Sequence, residues 1–145
     1  MAIGSKNLVI LACSQKKADS TQKAQDLYQG SLFKLGRKYA EVNHFDFVVL
    51  SAKYGLISPD REIEPYNQRL ANKEDVKKLR EKVLPQLKQM IGNYDKIITI
   101  GGKLYREVIK PLDSNKFENI IDNRGIGGML QKVKILIEKS NTCQA

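Results

Sequence analysis

Histidine occurs once in the 145 residues, as His44, and cysteine twice, as Cys13 and Cys143. That scarcity excludes paired-histidine metal motifs and argues against a structural zinc site, which needs four convergent ligands. Two cysteines without a secretory leader make a poor disulfide framework. His44 lies between a helical and a strand-like segment, where a surface or capping role is expected, and no Ser-His-Asp arrangement can be argued around it. Long apolar runs are missing too. The N-terminal MAIGSKNLVILAC holds one short stretch, a strand's worth and too brief for a signal or membrane helix, so the expectation is a cytoplasmic protein without membrane association. There is no GxxxxGKS/T run, and no dinucleotide fingerprint follows the first apolar segment. Nothing implies a metal or a cofactor.

What is present describes a folded globule. Hydrophobic residues make up 41% and charged residues 28% of the chain, unlike a disordered tail. The length suits a single domain over residues 1–145, and such a domain buries roughly two-thirds of the surface that its unfolded chain exposes. The 25 Lys and Arg against 16 Asp and Glu leave a formal charge of +9. That field draws polyanions and makes a nucleic acid or nucleotide the expected partner. Part of the charge lies in helical segments such as KKLREKVLPQLKQ, where it also reads as an ordinary solvated face.

Strand-like and helical patterns alternate along the chain. Leu8–Ala12 is a continuous apolar run, the signature of a strand buried on both faces. The polar CSQKKADSTQKAQDLY reads as a loop, either wholly or with one short helical turn. Leu32, Leu35, Tyr39 and Val42 recur at helical spacing between Gly30 and Asn43. FDFVVL at 45–50 is a second strand, of aromatic and β-branched type. The stretch from Ser51 to Leu70 is turn-rich, with Pro59 and Pro65 against regular structure. An amphipathic helix spans Glu74–Met90, and Pro85 predicts a kink or a break into two helices. A third strand, Lys96–Ile100, stops at Gly101-Gly102; a short helix closes at Pro111, a weak strand or a loop covers Phe117–Ile121, and a last helix runs from Gly127 to Lys139. Fraying is expected after Ser140. The succession predicts a three-layer α/β/α fold with a mostly parallel central sheet.

Open α/β sheets bind ligands beyond the carboxyl ends of their strands. The first strand delivers Cys13, Ser14, Gln15, Lys16 and Lys17 there, the second Ser51, Lys53, Tyr54 and Gly55, the third Gly101, Gly102 and Tyr105, and the fourth Asp122, Asn123, Arg124 and Gly125. Ser14, Lys16 and Lys17 supply hydroxyl and ammonium donors for phosphate or carboxylate, or form a solubilising loop. Cys13 is a nucleophile, a ligand contact or a packed thiol. Tyr54 and Tyr66 are candidate stacking surfaces, or core tyrosines with satisfied hydroxyls. Of Asp60, Glu62 and Glu64, Glu64, fixed beside Pro65, is the favoured candidate for a general base or for holding a cationic or amide group of a substrate. The alternative is a surface loop with its own Lys and Arg partners. Gly101-Gly102 can expose backbone N–H groups to an anion or simply make a tight turn. Arg124 offers a rigid fork ahead of a flexible Gly-rich stretch.

The stretches LVILACSQKK, DLYQGSLFKLGRKYAE, FVVLSAKYGLISPDREIEPYNQRL, GGKLYREVIKPL and GIGGMLQKVKIL together resemble a family of small bacterial and phage proteins of uncharacterised function. Leu50-Ser51, Tyr54-Gly55-Leu56, Pro59 and Pro65-Tyr66 resemble the central motif of the peroxide-stress YaaA proteins. That resemblance implies DNA binding and a role in protection from oxidative damage. Cys13-Ser14 followed by Lys16 and Lys17 is similar to the Cys-Ser-x-x-Lys pattern in the core domain of archaeosine synthase, which modifies a deazaguanine base in tRNA. The layout is also similar to uracil-DNA-glycosylase-like folds, a likeness of fold that does not carry an activity.

The leading expectation is an enzyme acting on a nucleobase or its N-glycosidic bond, in a nucleic acid or nucleotide. Ser14, Lys16, Lys17 and Arg124 would hold phosphate, Tyr54 or Tyr66 would stack on the base, and Ser51, Lys53 or Glu64 would serve the reacting group. A non-catalytic nucleic-acid-binding protein in a stress or phage setting is the first alternative, marked by a broad basic stripe. An enzyme on a free nucleotide is the second, marked by a narrow cationic pocket.

Overall fold

The computed structural model describes residues 6–14, 16–112, 114–122 and 124–144, the last four as backbone. Its centre is a five-stranded sheet. β1 (Asn7–Ala12) is the middle strand, flanked by β3 (Asp46–Ser51) and β6 (Lys96–Ile100). β4 (Gly55–Ile57) and β7 (Phe117–Ile120) form the two edges, in the order β4-β3-β1-β6-β7. All pairings are parallel except β3 with β4. The apolar run of β1 has the physical cause expected of it: Leu8, Val9, Ile10 and Leu11 are each at most 2% exposed, because helices cover both sides.

Alternate β1 residues separate two cores. Val9 and Leu11 face a cluster with α2 (Ser31–Val42) and α5 (Ile126–Gln144), through Phe33, Tyr39, Val133 and Ile137. Leu8 and Ile10 face α3 (Lys73–Ile91) and α4 (Lys103–Ile109), through Leu79, Val83, Leu87 and Val108. The protein is therefore a mixed α/β fold with a largely parallel sheet between two helical layers. Among the described residues no helix is long and apolar enough to cross a membrane.

Three local expectations are narrowed or corrected. α3 runs through Pro85 without dividing in two. Val83 and Leu87, both fully buried, clamp the turns on either side to the sheet and offset the roughly 3 kcal/mol that an interior proline costs. The polar segment after Cys13 contains one short helical turn, α1 (Ala24–Leu27), and also a strand, β2 (Gln22–Lys23), that pairs with β5 (Glu62–Ile63) of the turn-rich stretch. Two-residue strands are too short to show an alternating pattern. The last helix continues past Ser140 to Gln144.

The exposed His44 occupies the left-handed region (φ 59°) just after α2, and its N–H bonds the Glu41 carbonyl. This is the surface, helix-ending role that its position predicts.

Candidate functional site

From β1 the chain moves to β3 on one side, then crosses back to β6 on the other. The order reverses between β1 and β6, and a crevice opens beyond their carboxyl ends. Cys13 continues β1 outward, its N–H bonding the Leu50 carbonyl at 3.0 Å. Gly101 ends β6 so close that a Cβ there would sit 2.5 Å from Ala12 Cβ. One turn into α4, the Tyr105 hydroxyl lies 3.3 Å from Cys13 Sγ. Thiol and phenol thus bridge the two strands at the floor of the crevice.

Two cavities meet at this pair. One, of about 350 Å³, is lined by Lys17, Asn67, Gln68 and Arg69 as well as Cys13 and Tyr105. The other, of about 590 Å³, also reaches Cys13 and Tyr105 but is walled by Leu32, Phe33, Ile126 and Leu130. Gly102 opens onto this second space, with nothing within 4 Å of where its Cβ would be. It caps α4 without a side-chain hydrogen bond.

Beside the crevice lies a hydroxyl network. Tyr66 Oη stands 2.7 Å from both Ser51 Oγ and Tyr28 Oη. Ser51 Oγ also accepts the N–H groups of Lys53 and Tyr54, each at 3.1 Å. Cations cover the rings: Lys17 Nζ is 4.5 Å from the Tyr66 centroid, while Lys53 Nζ and the Arg61 guanidinium lie 5.3 and 4.9 Å from that of Tyr54. Tyr54 and Tyr66 meet edge to face at 5.7 Å.

Burial sets the protonation states. It pushes Tyr28 up to about 12 and lifts Tyr66 and Tyr105 well above the ordinary phenol range, with negative charge on Cys13 acting in the same direction on each. These phenols stay neutral at physiological pH and serve as hydrogen-bond partners rather than bases. Lys17 moves the other way. Burial lowers its pKa, against an opposing pull from Cys13.

The sequence candidates divide accordingly. Cys13, Ser14, Lys17, Gly101, Gly102 and Tyr105 line the cavities or their floor. Ser14 is committed to the loop, donating to the Lys16 carbonyl at 2.8 Å and accepting from Gly30 N–H at 3.1 Å. Lys16 is exposed. Ser51 is fully buried, with its oxygen already bonded to two N–H groups and Tyr66, so it holds the turn after β3 and is not presented to a ligand. Lys53 and Glu64 are exposed and line neither cavity. Arg124 departs most from its expected role. Asp122 takes its fork through both carboxylate oxygens, each at 2.9 Å, and Gln131 takes another donor. That pairing holds the Asp122 carboxyl well below the usual carboxylate range.

Residues missed in the sequence complete the site. Tyr28 reaches the network because Lys17 and Tyr28 form an antiparallel bridge that folds the polar loop back on itself. Asn67, Gln68 and Arg69 come from a segment with no regular structure. Gln15 and Asn123, in two of the strand-end segments, lie outside the described residues. Among the described residues no group of three or more His, Cys, Asp and Glu side chains could hold a metal ion.

The chain is similar to the uncharacterized protein YfjM of Bacillus subtilis (strain 168), at 25% identity over 155 aligned residues that cover 94% of this chain and 98% of that protein. No solved structure matches. A family model matches residues 8–135, from the central strand well into the last helix and across every residue of the crevice. The chain therefore belongs to that family, DUF6884, a family of unknown function.

Proposed function

We propose that the protein is a cytoplasmic enzyme acting on a nucleobase or its N-glycosidic bond, in a nucleotide or nucleic acid, with the crevice between β1 and β6 as its active site. The observation that carries this reading is the Cys13–Tyr105 pair, 3.3 Å apart at the floor of two ligand-sized cavities with Lys17 in the wall. A neutral phenol can donate to the negative charge that develops on a departing or attacked base. Lys17, in the cavity wall with Arg69, supplies a cation for the phosphate of such a substrate. Cys13, held against Tyr105 and lining both cavities, is placed to contact the substrate at the same point. The +9 charge supports a polyanionic substrate, and the likeness of Cys13, Ser14 and the following lysines to a base-modifying enzyme supports the same chemistry. Ser51, with its hydroxyl saturated, has no part in it.

The test is incubation with tRNA, single-stranded DNA and nucleotides carrying natural and modified bases, followed by mass spectrometry of released bases and altered nucleosides. Product formation that is lost in both Cys13→Ala and Lys17→Ala, with folding intact, is expected. No product from the whole set, or turnover undiminished in both variants, rejects the reading.

A second reading, non-catalytic nucleic-acid binding, is favoured by Lys53 and Arg61 over the Tyr54 ring, outside the crevice. Binding would then fall steeply with salt and respond to Lys53→Ala rather than to Cys13→Ala.

A further inference from the structure

We infer that the crevice takes one nucleotide unit, its base in the cavity walled by Phe33, Ile126 and Leu130 and its phosphate in the cavity lined by Lys17 and Arg69. The inference rests on the nucleobase reading above and adds the part of the substrate that each cavity holds. The two spaces differ in chemistry. Among the described residues no charged side chain lines the larger one, which suits a weakly polar ring better than an anion. Its rim carries Ile126, 51% exposed, an apolar side chain left in water by the fold itself. The smaller space has two cations and the amides of Asn67 and Gln68 in its wall, the donor set that a phosphate needs. Cys13, Ser14 and Tyr105 belong to both. A ligand filling the two must therefore be weakly polar at one end and anionic at the other. A nucleotide has that form, and its sugar and glycosidic bond would lie beside Cys13 and Tyr105.

Calorimetry with nucleoside 5′-monophosphates, the parent nucleosides and ribose 5-phosphate tests this on the full chain. The monophosphate should bind on the order of tenfold tighter than the nucleoside, and tighter than ribose 5-phosphate. Arg69→Ala with Lys17→Ala should erase the advantage over the nucleoside while leaving nucleoside binding unchanged. Ile126→Ser, at an exposed position, should weaken monophosphate and nucleoside alike by about fivefold and spare ribose 5-phosphate. A single-stranded oligonucleotide used as competitor separates the two sources of such a unit: displacement of the monophosphate marks a nucleotide read within a strand, and no displacement marks a free one. Equal affinity of monophosphate and nucleoside, or an advantage that survives the double substitution, overturns the assignment. Turnover of a base without saturable mononucleotide binding overturns it while leaving the proposed activity standing, whereas absence of both turnover and binding removes the activity as well.

Discussion

The hydroxyl of Tyr66 lies 2.7 Å from Ser51 Oγ, and that oxygen also accepts the N–H groups of Lys53 and Tyr54. Ser51 is fully buried, so its removal leaves two part-buried backbone donors without that partner. Ser51→Ala should lose about 1–3 kcal/mol of stability, read from urea unfolding. Turnover below the new midpoint should persist. A variant of wild-type stability that has lost turnover would instead make Ser51 a reacting group.

Gln86 of α3 serves as a surrogate strand for the sheet edge. Its Oε1 accepts from Leu56 N–H at 2.9 Å and its Nε2 donates to the Leu56 carbonyl at 3.2 Å. Leu56 is only 6% exposed, so both groups depend on that amide. Gln86→Leu should cost about 1–3 kcal/mol and speed hydrogen exchange at Leu56 relative to β1. Unchanged exchange there would show that β4 holds without it. Gly55, at φ +79°, leaves room for the same amide, since a Cβ would stand 2.6 Å from Gln86 Oε1.

These two contacts mark where the sequence is legible and where it is not. β1 and β6 can be read because burial on both faces imposes unbroken apolar runs, and α2 and α3 because one face meets the sheet. β4 cannot, since Gly55–Ile57 is too short for a pattern and the outer backbone groups of Leu56 pair with a glutamine 30 residues away. The crevice is partly legible: strand ends identify Cys13, Gly101 and Tyr105, because topology alone brings them to one edge. What a polar side chain does there depends on its neighbours. Arg124 has the fork that an anion site needs, yet Asp122 already fills it. Tyr28 sits in a polar stretch whose sequence gives no sign that it turns back under the site.

Alkaline pH should unfold the protein early. The phenols of Tyr28, Tyr66 and Tyr105 have folded-state pKa values raised mainly by burial, that of Tyr28 to about 12. Above the unfolded value of about 10, the native state keeps protons that the unfolded chain releases. Stability is therefore full below that pH and falls as pH rises toward the folded values. Urea midpoints should be level between about pH 7 and 9 and decline steeply beyond about 10. Phenolate absorbance of the folded protein should lag behind that of the urea-unfolded chain. Coincident titrations would contradict the burial of this network.

The double glycine after β6 should separate into one position that the fold requires and one that it does not. At Gly101 a Cβ would meet Ala12 Cβ at 2.5 Å, and neither atom has a rotatable bond to retreat along, so β1 and β6 would have to part. Gly101→Ala should therefore cost about 1–3 kcal/mol and disturb the Cys13–Tyr105 contact, lowering ligand affinity with it. At Gly102 an added methyl meets nothing within 4 Å, and the backbone φ of −71° suits any residue. Gly102→Ala should lose no more than about 1 kcal/mol, the difference between glycine and alanine at a helix cap. Its methyl would project toward the larger cavity, so an effect on ligand binding without a comparable effect on stability is the expected signature. Equal destabilisation by both substitutions would mean that the pair is only a turn, and that the space beside Gly102 is not held open for a ligand.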